Sequence, residues 1–213
     1  MWNEQIIMML LEGIKDTLYM TLTSTLIGYV IGLPMGILLT VTDKDGIHPN
    51  TAVYKVLDVI ANLIRSVPFL ILLIVLIPFT RFLIGRSYGP TATIVPLVIA
   101  AAPYIARMVE SSLKEVDAGV IEAARSMGAS NFTIVTKVML VEARTSLIVG
   151  ATISLGTILG YSAMAGTVGG GGLGDIAIRY GYTRWQTDIM IVTVILLVIL
   201  FQIFQTIGMK LAV

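Results

Sequence analysis

The sequence has 213 residues, 56% of them hydrophobic and only 13% charged, with a net charge of +1 and a mean hydropathy of +0.92. Soluble domains carry about 25% charged residues, so a chain this apolar cannot cover itself with polar groups, and a bilayer must act as its solvent. The near-zero charge gives no electrostatic basis for nucleic-acid binding; the absence of cysteine excludes disulfides and thiolate metal sites, and a single histidine, His48, excludes a histidine metal cluster.

In chain order, the N-terminus comes first. It lacks a basic stretch, and the apolar run at 6–11 is cut short by Glu12, so a cleaved signal peptide is not expected. The segment reads as a short amphipathic lead-in lying at the membrane surface. A spanning helix needs roughly 20 mostly apolar residues, at about 1.5 Å of rise each. Five stretches meet that need, at about 17–42, 59–83, 87–109, 145–168 and 188–209, which makes the chain a single all-α integral membrane domain over 1–213. The second is the strained one. Only 15 residues separate Arg65 from Arg81, so one arginine must snorkel towards an interface.

Five spans place the termini on opposite sides. With the N-terminus outside, the 14 Lys and Arg residues divide nine inside to five outside, so positive charge favours a cytoplasmic C-terminus and a cytoplasmic loop at 110–144. Gly28, Gly32 and Gly36 repeat every four residues on the first span, as do Gly156 and Gly160 on the fourth, a spacing that lets helix backbones approach closely. Pro34, Pro68, Pro78, Pro96 and Pro103 also fall within spans. Such prolines are tolerated where protein or a wet cavity satisfies the freed backbone groups. Ordinary helix packing and a pathway-lining bundle both account for them.

The loop at 110–144 is patterned. Asp117 can cap a helix and Gly128 can close it in a left-handed conformation, while Val120, Ala123, Ala124 and Met127 fall on one face. Ser130 can cap a second helix, on which Phe132, Val135, Thr136 and Met139 repeat the spacing. Two short amphipathic helices of this kind form either a rigid hook or a pair resting on lipid headgroups.

Residue identity distinguishes the two. Glu122-Ala123-Ala124, three residues, Gly128, nine residues, then Val138-Met139-Leu140 resembles the EAA loop of binding-protein-dependent ABC importer permeases. Val138 stands for the family's isoleucine, and Val141 stands where its proline is expected. The resemblance implies coupling helices that insert into a groove on a separate ATP-binding subunit. Ala123 and Ala124 would permit close approach, Glu122 would meet polar or basic groups, and Gly128 and Leu140 would complete the motif.

Further segments narrow the resemblance to the methionine importer permeases: Arg65-Ser66-Val67-Pro68-Phe69, the run 102–110, the run 160–166 and the glycines of 169–174. The similarity covers essentially 13–209. It implies a five-helix permease of the type I importer fold in the bacterial cell membrane, paired with a second copy. The pair would sit on a dimer of ATP-binding subunits and be fed by a lipoprotein or other substrate-binding protein outside. Methionine, in L- and D-forms, would be the cargo, with another amino acid or small polar solute as the alternative. ATP and Mg would be used by the partner, so this chain would carry no cofactor and be no enzyme.

Tyr161, Ser162 and Met164 are candidates for the substrate pathway, because a thioether and an aromatic face suit a sulfur-containing side chain and a hydroxyl suits a polar end. Plain bundle packing is the alternative. Arg65 is either an interfacial anchor or a counter-ion for a carboxylate in transit.

Other motifs fail on context. Gly169, Gly171 and Gly174 match a dinucleotide fingerprint, but no strand precedes them. Ser162 as a hydrolase nucleophile lacks a histidine or lysine base in the last two spans. An ion-driven transporter would be expected to carry an acid at bilayer depth, and Asp58 and Glu110 sit at span ends. No phosphate-binding P-loop sequence occurs.

Overall fold

The computed structural model describes residues 4–212, nearly all of them helical. Helix α1 (Glu4–Thr42) runs unbroken for 39 residues, about 58 Å at 1.5 Å per residue, against a hydrocarbon core of roughly 30 Å. The separate lead-in expected at the membrane surface is therefore not present among the described residues; its turns are the start of α1. Their order has a cause. Leu10 is buried with Leu173, Ile176 and Ile189, and Gly13 sits so close to Ile176 that a side-chain carbon there would meet it at 2.4 Å. Along α1, Thr17, Thr25, Thr40 and Thr42 donate to the carbonyl four residues back, at 2.7–3.0 Å. Each hydroxyl is thus satisfied without water.

Helix α1 packs along α5 (Pro90–Lys114), and the glycine stripe is the reason. A methyl at Gly32 would lie 2.6 Å from the Ala102 carbonyl oxygen, and one at Gly36 the same distance from that of Ala106. Those are backbone atoms that cannot swing aside. Facing residues on α5, including Ala101, Ala102 and Ala106, are themselves small and buried. Dispersion between closely approaching backbones replaces the hydrophobic effect that a bilayer does not supply between helices.

The second span departs from expectation. In place of one helix over 59–83, three pieces occur: α2 (Thr51–Ser66), α3 (Phe69–Val75) and α4 (Ile77–Ile84). Asn50 starts α2 by accepting from the Val53 N–H. Pro68 ends it, forcing Val67 into an extended conformation (φ −84°, ψ 124°). The axis then turns by 101° into α3. Among the described residues four helices are long and apolar enough to cross a membrane, and a fifth crossing exists only if the bent α2–α3 pair counts as one. The break also relieves Arg65, which lies exposed in the last turn of α2 rather than within a continuous span.

Helix α5 continues to Lys114, so residues 110–114 belong to it and not to the loop. In the loop, α6 (Ala118–Ser126) is capped by Asp117, whose carboxylate accepts from the Gly119 N–H at 2.7 Å, and Gly128 follows at φ +82°. Ser130 caps the next turn, α7 (Asn131–Thr133). The second helix is not uniform, however. Residues Ile134–Met139 form a π-helical turn before α8 (Leu140–Glu142). Of the expected face of Phe132, Val135, Thr136 and Met139, only Met139 and, in part, Val135 pack on the core, and Phe132 is exposed. The buried residues are Ile134 and Met139, five residues apart, the spacing a π-turn brings to one side. The chain leaves this segment at Ala143, two residues beyond Val141, and enters α9 (Arg144–Ala165).

Helix α9 packs against α11 (Thr187–Ala212), where Gly156 abuts the ring of Phe201. Gly160 faces open space instead. Between them lie a 3-10 turn (Gly166–Val168), α10 (Gly172–Ile176) and a second π-turn (Ala177–Tyr182). The glycine-rich segment is tied to the start of α5 and to α1. Gly89 N–H donates to the Gly169 carbonyl at 2.9 Å, Thr93 donates to Gly170 at 3.3 Å, and Leu173 N–H donates to the Thr17 hydroxyl at 2.9 Å.

Candidate transport and coupling sites

The break after α2 creates a cleft. Ile64, Arg65 and Val67 form one wall, Phe69 and Leu72 of α3 another, and Ala100 and Tyr104 of α5 with Tyr161 of α9 close it, around about 190 Å³. Phe69 and Tyr161 stack with centroids 4.5 Å apart and planes 6° from parallel, a geometry that fixes both rings. The Thr157 hydroxyl lies 3.4 Å from that of Tyr104. Arg65 makes no ion pair with any described residue. An unpaired guanidinium and two stacked rings lining one cleft offer one anionic contact and one apolar surface.

Of the four pathway residues named from sequence, Arg65 and Tyr161 share this cleft and the other two do not. Ser162 is 1% exposed. Its hydroxyl donates to Leu159 at 2.8 Å and accepts from Thr21 of α1 at 3.4 Å, so it serves helix packing. Met164 is half exposed and outside the cleft. Tyr104 and Phe69 were given no role from sequence, although both lie inside segments that carried the resemblance. Their part depends on the turn at Pro68, which no periodicity announces.

A charged cluster lies below the cleft. Arg107 bonds to the Asp58 carboxylate, to Asn62 Oδ1 at 2.9 Å and to Glu110 Oε2 at 2.6 Å. Lys114 takes the other Glu110 oxygen at 2.8 Å and Asp43 at 2.6 Å. The hydrogen bond from Lys114 holds the Asp43 carboxyl below the usual carboxylate range. Glu110 is almost fully buried, and a buried charge persists only when paired. From sequence, Asp58 and Glu110 are span ends, Arg107 and Lys114 are inside charges, and Asp43 and Asn62 carry no role. The signal available was spacing, since Asp58/Asn62 and Glu110/Lys114 are i, i+4 and Arg107/Glu110 are i, i+3.

On the loop, Glu122 and Ala123 are exposed, whereas Ala124 is buried in the chain's own core. The two alanines thus face different ways, and only Ala123 is open to a partner. Around it Val120 is 40%, Met127 82% and Phe132 78% exposed, an apolar patch projecting from one end of the molecule. Leu140 is half-buried against the core behind it. Arg125 Nη2 donates to the Ile47 carbonyl at 2.8 Å and so pins α6 to the turn after α1.

Broken, glycine-packed membrane helices carrying a rigid two-helix hook define a multi-pass transport component of the inner membrane. The chain belongs to the family of binding-protein-dependent transport system inner membrane components, which it matches over residues 16–209. It is 48% identical over 200 residues to the "Probable D-methionine transport system permease protein MetI" of Vibrio cholerae, covering 94% of this chain and 89% of that one. Against the D-methionine transport system permease protein MetI of Escherichia coli K12 the identity is 50% over 164 residues, or 77% and 76% of the two chains. A structure of the MetNI methionine ABC transporter in inward-facing conformations superposes with a TM-score of 0.97 at 47% identity, over 99% of this chain and 98% of that one. An amino acid ABC transporter shares the fold at a TM-score of 0.78 and 22% identity, over 96% and 92% of the chains.

Proposed function

We propose that the chain forms the translocation pathway of an ATP-driven importer that carries methionine, in L- and D-forms, into the cytoplasm. The observation that carries this reading is the hook. Capped by Asp117 and pinned through Arg125, it presents Glu122, Ala123, Met127 and Phe132 outward. An exposed apolar patch flanked by an exposed acid is a protein-docking surface, and the fitting partner is a cytoplasmic ATP-binding subunit. The working assembly has two copies of this chain on two such subunits, and an extracytoplasmic binding protein delivers the solute. This chain binds no nucleotide itself; the partner hydrolyses ATP with the help of Mg.

Arg65 receives the carboxylate of the solute, and Tyr161 with Phe69 supports its side chain. A second reading, transport of another amino acid, draws on a specific observation: Met164, the thioether expected to recognise sulfur, lies outside the cleft. Reconstitution with the ATP-binding subunit and the binding protein tests both. ATP-dependent uptake of labelled methionine, competed by unlabelled methionine and not by other amino acids, is the expected result. Stronger competition by a different amino acid replaces the substrate.

The hook faces the cytoplasm, with the N-terminus outside and the C-terminus inside. The chain lacks cysteine, so single cysteines report topology directly. A membrane-impermeant maleimide added to intact cells is expected to label Trp185→Cys and spare Met127→Cys. The opposite pattern inverts the topology.

A further inference from the structure

Asp58, Asn62 and Arg65 stand at i, i+4 and i+7 on α2, so one helix face carries all three. The facing side of α5 carries Tyr104, Arg107 and Glu110 at successive intervals of three. At one end of this contact Arg65 and Tyr104 line the cleft. At the other, Arg107 Nη2 holds both Asp58 and Asn62. Helix α2 has little else to hold it: Ala61 is its one buried residue, while Val56, Val59, Ile60 and Leu63 are exposed. Its register against α5 is therefore set by polar contacts rather than by apolar packing.

The contacts continue towards the hook. Glu110 joins Arg107 to Lys114, Lys114 joins Asp43, and Asp43 opens the turn whose Ile47 carbonyl accepts from Arg125 on α6. Each link is 2.6–2.8 Å, and the carboxylates and cations alternate. The planar guanidinium matters at Arg107, because Nη2 holds Asp58 and Asn62 of α2 while Nη1 holds Glu110, a division between two fixed nitrogens that the single ammonium of a lysine cannot reproduce.

We propose that Arg107 is a positioning residue that sets the register of α2, and with it the place of Arg65 in the cleft, according to the position of the α6 hook. The proposal rests on the reading that the cleft takes the solute and the hook takes the ATP-binding subunit. Movement of the hook shifts the turn after α1 and then Lys114 and Glu110. Arg107 passes the shift to α2.

The test uses the reconstituted complex of permease, ATP-binding subunit and binding protein. In Arg107→Gln, ATP hydrolysis is expected to persist while methionine imported per ATP falls about tenfold, a size typical of coupling between sites. Arg107→Lys should recover only part of that loss. Combined with Asp43→Asn, the Arg107→Gln defect should be less than additive, because both cut one chain of contacts. Spin labels at Val56→Cys on α2 and Met209→Cys on α11, in a complex where one of the two copies is labelled, supply a second readout, a narrow distance that broadens in Arg107→Gln. Additive defects, or an α2 distance unchanged by Arg107→Gln, overturn the proposal. Should Arg107→Gln fail to assemble, Asn62→Ala removes one exposed contact and decides the matter on the same two readouts. If the unaltered complex imports no methionine, the transport reading fails, while the label distance still tests the role of Arg107 in placing α2.

Discussion

Glu122→Arg is expected to leave the permease folded and in the membrane while ATP-dependent uptake falls roughly thirty-fold or more, the equivalent of about 2 kcal/mol lost at an interface hot spot. The fold should tolerate the change because Glu122 is exposed and forms no ion pair with any described residue, and substitutions of that kind usually alter stability by no more than about 0.5 kcal/mol. The partner should not tolerate it. An arginine would meet whatever basic or donor groups receive the carboxylate, adding repulsion to a lost hydrogen bond. Uptake by membrane vesicles, together with co-purification of the ATP-binding subunit, measures both halves. Unimpaired uptake at normal membrane levels would remove Glu122 from the coupling surface.

Glu110→Ala is expected to do the reverse, damaging the permease itself. Glu110 accepts from Arg107 at 2.6 Å and from Lys114 at 2.8 Å while almost fully buried. Deleting it leaves two cations to be neutralised by Asp58 and Asp43 alone. Removing one partner of a buried pair costs about 3–5 kcal/mol, because the residual charge stays desolvated. For a chain of this size that corresponds to a fall in midpoint of about 10 °C. Thermal unfolding of the detergent-purified complex reads it, and Glu110→Gln, which keeps volume and one acceptor, should lose less. An unchanged midpoint for both would mean that solvent reaches the cluster and screens it.

The two substitutions differ in how far sequence alone foreshadows them. Glu122 was marked by a motif whose parts are close in the chain, with Asp117, Gly128 and Ser130 acting as caps within a turn of their helices. Local signals of that kind survive any tertiary arrangement. Glu110 was only a residue near the end of a span. Its importance depends on Asp58 reaching Arg107 across 49 positions, and no spacing rule encodes that meeting. The same division runs through the cleft. Arg65 and Tyr161 were both singled out, but their juxtaposition required Pro68 to turn the chain by 101°. Ser162, next to Tyr161 in the chain, points elsewhere because adjacent helical residues occupy different faces, and Met164, a turn further along α9, does not line the cleft.

Composition, 56% apolar and only 13% charged, points to a bilayer as solvent, apolar runs of about 20 residues make the spans helical, and the glycine spacing on α1 marks a face for close helix contact. The hook's two starts and its left-handed glycine also followed from residue chemistry. What tertiary structure decided was where apolar runs break, which alanine of the Glu122 motif turns inward, and how the charges pair. A proline-ended helix can stop, kink or re-enter, and only its packing partners choose among these. The π-turn at Ile134–Met139 belongs in the same class, as it shifts the packed face by one residue to bring Ile134 and Met139 onto the core. Hydropathy reports how much surface must be hidden. The neighbour that hides it is a property of the folded bundle.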